Sequence, residues 1–173
     1  LTTIGYREQD DLGAAVDYLK NKGFTDIGAM GFSMGGAVAM LTASHDDRIK
    51  AVVTDSAIAN IDLMGLEFYK DLFVLKYPLT FLTKVWAKLF LGIDANEIAP
   101  EKAAANLKIP ILLIHSKKDQ TIPFENALRI QKALAKNPKA EFFFPEEGIH
   151  GALPVNLREK YEERVLEFFK QNL

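Results

Sequence analysis

The chain contains no cysteine. That excludes disulfides, thiolate nucleophiles and Cys-based zinc or iron–sulfur sites. Histidine is scarce: His45, His115 and His150 lie far apart, with no HExxH and no close pair. Neither a histidine-rich metal centre nor any cofactor is expected. An excess of one charge is also missing. Lys+Arg 21 against Asp+Glu 23 leaves −2 at pH 7, which offers no basic footprint for nucleic acid and no polybasic membrane patch. Long hydrophobic runs are absent too. The most apolar stretch, residues 68–91, is broken by Lys70, Lys76, Lys84, Lys88 and Pro78. Its longest charge-free run, 77–83, falls far short of the ~20 apolar residues of a membrane span. No signal-peptide pattern is visible, and the cytoplasm is the expected location.

What is present is the balance of a soluble globular protein, 49% hydrophobic and 25% charged over 173 residues. That length suits one core. Residues 10–22 predict an amphipathic helix, with Leu12, Ala15, Val16 and Leu19 on one face and Gly23 as its left-handed stop. Residues 27–32 read as a buried strand and 34–43 as a helix apolar nearly all round. Further strands are expected at 51–55, 111–115 and 141–144, and further helices at 124–135 and 157–172. Strands alternating with helices predict an α/β fold: a parallel sheet with helices on both faces. A helical insert, 61–107, interrupts the alternation. Leu82, Val85, Trp86, Leu89, Phe90 and Ile93 form an apolar stripe within it, suited either to core packing or to covering a substrate. The strand at 27–32 reads as buried on both sides, yet nothing upstream can pair with it. The expectation is an exposed edge through which the chain associates with a partner, or a larger sheet of which this is the C-terminal part.

The sharpest motif is Gly31-Phe32-Ser33-Met34-Gly35-Gly36. It lies where an apolar strand gives way to a buried helix, the context of a nucleophile elbow, G-x-S-x-G. There the serine occupies a strained turn that lifts its hydroxyl clear of both elements. Small residues are expected two before and two after it, and Gly36 should let the helix approach the strand. A serine nucleophile needs a general base, and the base needs an orienting acid. His45 reads as a solvated helix end beside Asp46 and Asp47. His115 ends a strand and reads as a packed histidine. His150 lies between Gly148 and Gly151 in the loop after the fourth strand and is the expected base. Two carboxylates compete for the acid: Asp119, in the loop after the third strand, and Asp55, at the end of the second. Both sit at the C-terminal edge of the sheet, and Asp119 is preferred because its loop leads on to His150. The competing structural roles are a turn former for Asp119 and a packing residue for Asp55.

GFSMGG, HSKKDQTIP and EEGIHG resemble the nucleophile, acid and histidine blocks of the α/β-hydrolase superfamily. The most similar branch is the prolyl-oligopeptidase-like group, with its dipeptidyl-aminopeptidase and acylaminoacyl-peptidase types. Asp55-Ser56-Ala57 and residues 109–115 and 161–168 resemble it as well. The resemblance implies a serine hydrolase of the complete protein, acting through Ser33, Asp119 and His150 on a small-molecule or peptide acyl substrate. It implies a single domain over 1–173 with 61–107 as cap, and Met34 N–H as an oxyanion donor. It also implies eight strands, of which this chain resembles the second half; the first four, and the turn that carries a second oxyanion donor, have no counterpart in it. Two other functions compete. One is a non-catalytic hydrolase-like module that binds a partner. The other is a dinucleotide-binding oxidoreductase using Gly28, Gly31, Gly35 and Gly36 with Asp55, although that spacing fails G-x-G-x-x-G.

Overall fold

The computed structural model describes residues 2–152 and 155–173. Four strands, β1 (Ile27–Phe32), β2 (Ile49–Asp55), β3 (Ile111–Ile114) and β4 (Ala140–Phe143), form one parallel sheet in the order β1-β2-β3-β4. Alternate residues of a strand point to opposite faces, and each face has its own core. Ile27, Ala29, Val52, Ile111 and Leu113 bury against α1 (Glu8–Asn21), α2 (Met34–Ala43) and α6 (Glu125–Ala133). Ala51, Val53, Leu112 and Ile114 bury against Val165 and Phe168 of α7 (Val155–Asn172). Helices therefore cover both faces, as the alternation of elements predicts.

Local chemistry sets the boundaries. Gly23, at φ +90, closes α1 in a Schellman turn: its N–H donates to Lys20 O and that of Phe24 to Leu19 O. Eight of the ten residues of α2 are buried, so that helix has no solvent face and sits centrally between strand ends and neighbouring helices. Because all four strands run the same way, the segments that follow them emerge at one edge of the sheet.

Two expectations need correction. First, β1 is not buried on both sides. Gly28 lies under Phe169 of α7, where an added Cβ would stand 2.5 Å from Cε1. Met30 and Phe32, on the same face, are exposed, because α7 crosses β1 only at its start. β1 is an edge of the sheet, and no strand pairs with its outer side among the described residues.

Second, the insert is helical but turned. It holds α3 (Ile61–Phe68), a 3₁₀ segment, α4 (Lys76–Trp86) with a π turn to Leu91, and α5 (Pro100–Ala104), with Pro100 in the first turn. Of the expected stripe, Ile93 alone is buried; Leu82, Val85, Trp86, Leu89 and Phe90 face outward. The reason is the α3–α4 seam. At its closest point small residues meet: a Cβ at Gly65 would lie 2.5 Å from Thr80 Cγ2, and at the exposed side of the seam Tyr69 Oη is 2.9 Å from Thr83 Oγ1. Close contact there turns the small face of α4 inward and its large apolar face out.

The tightest backbone contact is between β1 and α2. A Cβ at Gly31 would lie 2.1 Å from Gly35 O. Gly31→Ala is expected to destabilise the fold by at least ~3 kcal/mol, beyond ordinary overpacking, read as a fall in the urea midpoint. Gly35→Ala, with open space around its Cβ, should lose far less.

Candidate active site

Ser33 joins β1 to α2 at φ +54 and ψ −119. A non-glycine residue rarely holds a positive φ, so something must fix it there. The Ser33 N–H donates to Asp55 O at 2.8 Å, which continues the β1–β2 ladder into the turn. Gly31 lets the first turn of α2 fold back over β1. Gly36 lets α2 approach β2, since a Cβ there would stand 2.4 Å from Thr54 Oγ1. The expected size limit therefore falls on Gly31 and Gly36, and not on Gly35. Met34 is the first residue of α2, where helical N–H groups lack intrahelical acceptors and carry partial positive charge.

His150 projects from the loop between β4 and α7. Reciprocal backbone bonds between Ile149 and Ala152 (2.9 and 3.0 Å) pinch this loop, and Gly148 and Gly151 take φ +130 and +75. Ser116 Oγ donates to Gly148 O at 2.7 Å, tying it to the loop after β3. The Phe32 ring lies 4.7 Å from the His150 ring, centroid to centroid. His150 Nε2 is 3.1 Å from Ser33 Oγ, and His150 Nδ1 is 2.8 Å from Asp119 Oδ2. The structure thus brings together Ser33, Asp119 and His150, which are far apart in sequence.

Asp119 is buried. Its Oδ1 accepts from the N–H groups of Thr121 and Ile122, both at 2.9 Å. Burial alone would raise its pKa. The bonds from Ile122, His150 and Thr121 outweigh that and hold the carboxyl below its usual range. An ionised carboxylate only accepts, so Nδ1 of His150 carries the hydrogen and Nε2 offers its lone pair to the Ser33 hydroxyl.

No side chain of the other candidates hydrogen-bonds Ser33 or His150, although His115 Nε2 lies 3.7 Å from Asp119 Oδ2. His45 is exposed after α2. His115 is buried, with Nε2 2.8 Å from Ile122 O, and burial pushes its pKa down. Asp55 accepts from Ser56 Oγ (2.9 Å) and Tyr161 Oη (3.0 Å) and makes no hydrogen bond to His150. Its burial raises its pKa against the opposing effect of those bonds. Phe32 and Ser116, which brace the histidine loop, went unnoticed in the sequence. The alternation of β1 was the available signal for Phe32; Ser116 offered none. Among the described residues, no group of three or more His, Asp or Glu could hold a metal, and no helix is long and apolar enough to cross a membrane.

An almost wholly apolar cavity of about 440 Å³ lies between the insert and the segment before α1, lined by Ile4, Met64, Ala87, Leu91 and Ile98 among others. Thr2, in its wall, touches Met34 Sδ at 3.6 Å.

Residues 2–173 match the prolyl oligopeptidase family. The chain belongs to that family. It is 32% identical to the Bacillus subtilis (strain 168) protein YqkD over 174 residues, 96% of this chain and 56% of YqkD. The Pyrococcus furiosus esterase Pf2001 superposes with a TM-score of 0.76 at 28% identity, over 99% of this chain and 64% of the esterase. A Mycobacterium tuberculosis puromycin-hydrolyzing peptidase shares the fold, with a TM-score of 0.78 at 21% identity, over 98% of this chain and 26% of the peptidase. The chain thus spans little more than half of YqkD and less than two thirds of the esterase. The α/β-hydrolase architecture expected from GFSMGG, HSKKDQTIP and EEGIHG is the one this chain shares with these structures.

The depressed Asp119 pKa has a stability consequence. Its contribution is complete above the unfolded value near ~4 and is lost as pH falls through the lower folded value. The urea midpoints of wild type and Asp119→Asn should differ by the equivalent of ~1–3 kcal/mol at neutral pH and converge in acid. A gap that widened on acidification would contradict this.

Proposed function

We propose that the protein is a serine hydrolase that cleaves an ester, thioester or amide through an acyl-enzyme. The observation that carries this reading is the hydrogen-bonded series Asp119–His150–Ser33 at a strained strand–helix turn. In the proposed reaction Ser33 Oγ attacks the acyl carbonyl carbon while His150 Nε2 takes the hydroxyl proton. Met34 N–H, at the N-terminus of α2, stabilises the oxyanion as one of its donors. The tetrahedral adduct collapses, and His150 returns the proton to the leaving alcohol, thiol or amine. Water, deprotonated by His150, then releases the acid and frees Ser33. Asp119 keeps Nδ1 protonated and stabilises the imidazolium as it forms. The insert 61–107 serves as the cap, and the apolar cavity beneath it receives an apolar part of the substrate.

A fluorophosphonate should label the full-length protein at Ser33, located by peptide mass spectrometry, and Ser33→Ala should abolish the label. Label on another residue would remove the nucleophile assignment. Asp119→Asn should lower ester turnover by about 10³–10⁴-fold, and Asp55→Asn by much less. The reverse order would make Asp55 the orienting acid.

The cavity gives a separate expectation. Burying each CH₂ is worth ~0.8 kcal/mol, so kcat/KM for p-nitrophenyl esters should rise by about ten-fold with each pair of carbons added to acetate until the cavity is full. Ala87→Phe, which occupies it, should cost long-chain esters more than acetate. A flat chain-length profile with Ser33-dependent turnover would remove the cavity's role and leave the hydrolase reading intact.

A further inference from the structure

The insert is built inside out. Thr80, 6% exposed, faces inward at the seam with Gly65, while Phe81 is 64% and Trp86 53% exposed. Tyr77, Phe81, Trp86 and Phe90 stand more than half exposed and together show on the order of 500 Å² of ring surface. With Leu82, Val85 and Leu89 the outer face reaches roughly 800 Å², the area one partner buries in a standard protein interface. Just ahead of α4, Phe73 sits at φ +47 with 82% of its surface exposed. A contiguous apolar patch of this size marks an interaction surface.

Charge selects among the occupants. Lys70, Lys84 and Lys88 are tied to Glu67, Asp62 and Asp94 at 2.6–2.7 Å. Lys76 lies over the Tyr77 ring at 5.3 Å. Over residues 61–97 there are four lysines and five carboxylates. The insert thus has no surplus of positive charge to draw an anionic lipid surface. A neutral apolar ridge is complementary to another of its kind. The face also supplies a receptor for its own knobs: a shallow groove lined by Leu82, Thr83, Val85, Trp86, Leu89 and Phe90. The ridge from Lys76 to Leu91 is a helix about 24 Å long, enough for two antiparallel copies to pack ridge into groove at 8–10 Å. We propose that the outer face of the insert is a homodimer interface, in which α4 and the following turn pair with the same segment of a second copy about a two-fold axis.

Trp86 is the one tryptophan of these 173 residues, and its emission in the full-length protein is read as the difference from Trp86→Phe. Light scattering after size exclusion should give twice the monomer mass for the full-length protein. Dilution to monomer should shift the Trp86 emission to the red. Phe81→Glu combined with Leu89→Glu places charges in the contact. It should raise the dimer dissociation constant at least 100-fold with an unchanged far-ultraviolet circular dichroism spectrum, and Phe81→Leu should remain dimeric. Four results would overturn the proposal. One is a monomer at every concentration with emission already blue-shifted, which means that the protein's own chain covers the ridge. A second is a monomer with exposed Trp86 that binds no second copy. A third is a monomer whose Trp86 emission shifts to the blue on vesicles of phosphatidylglycerol, which makes lipid the occupant. The last is a dimer that survives the double substitution and is lost with Met30→Pro, which assigns association to the edge of β1.

Discussion

One backbone position governs this molecule: Ser33, held at φ +54 between β1 and α2. The conformation is unfavourable for a serine and persists because its surroundings over-determine it. From one side Asp55 O takes its N–H and makes the turn an extension of the sheet. From the other, α2 is buried on almost every face and cannot shift. Gly31 and Gly36 remove the two side chains that would push helix and strand apart. The hydroxyl that results stands at the C-terminal edge of the sheet, where the loops after β3 and β4 also emerge. Asp119 and His150 meet it there because parallel strands deliver every following loop to the same edge.

The two carboxylates at that edge show how environment divides the work. Both are buried or nearly so, and burial drives both pKa values up. Asp119 is supplied with two backbone N–H groups and an imidazole, and its pKa ends below the usual range. Asp55 is supplied with two hydroxyls, from Ser56 and Tyr161, and its pKa ends above the usual range. Only the first of the two hydrogen-bonds the His150 imidazole. The second fastens α7 to the end of β2, while the Asp55 backbone carbonyl holds Ser33 in its turn.

Much of this was legible in the sequence because it rests on local signals. Short apolar runs marked the four strands. Gly31, Gly36 and the apolar segment after Ser33 marked the turn. The position of its loop, which leads on to His150, favoured Asp119 over Asp55, and flanking glycines marked the His150 loop. The misreadings arose where a side chain's partner lies far away in sequence. Met30 and Phe32 read as core residues because β-strand character does not reveal which helix covers a face. Gly35 read as a steric necessity because the motif is symmetric in sequence, although the clash is not: Gly31 faces backbone and Gly35 faces open space. The bracing of the histidine loop by Ser116 depends on a loop 32 residues away.

The orientation of α4 is the most informative of these departures. Its apolar stripe is expected either to pack on the core or to cover a substrate, yet all of it but Ile93 faces outward, because periodicity identifies a face without saying what that face meets. Within this chain the direction is decided by the least conspicuous residues. Gly65 opens a notch in α3, Thr80 fills it, and Thr83 bonds Tyr69 beside it. That seam brings two helix backbones closer than Leu or Phe would allow, and it commits the bulky side of α4 to the outside. Solvent is a poor environment for a ridge of Phe81, Trp86, Leu89 and Phe90. A fold that seals its small residues inward and displays its large ones is therefore arranged for a contact beyond its own core.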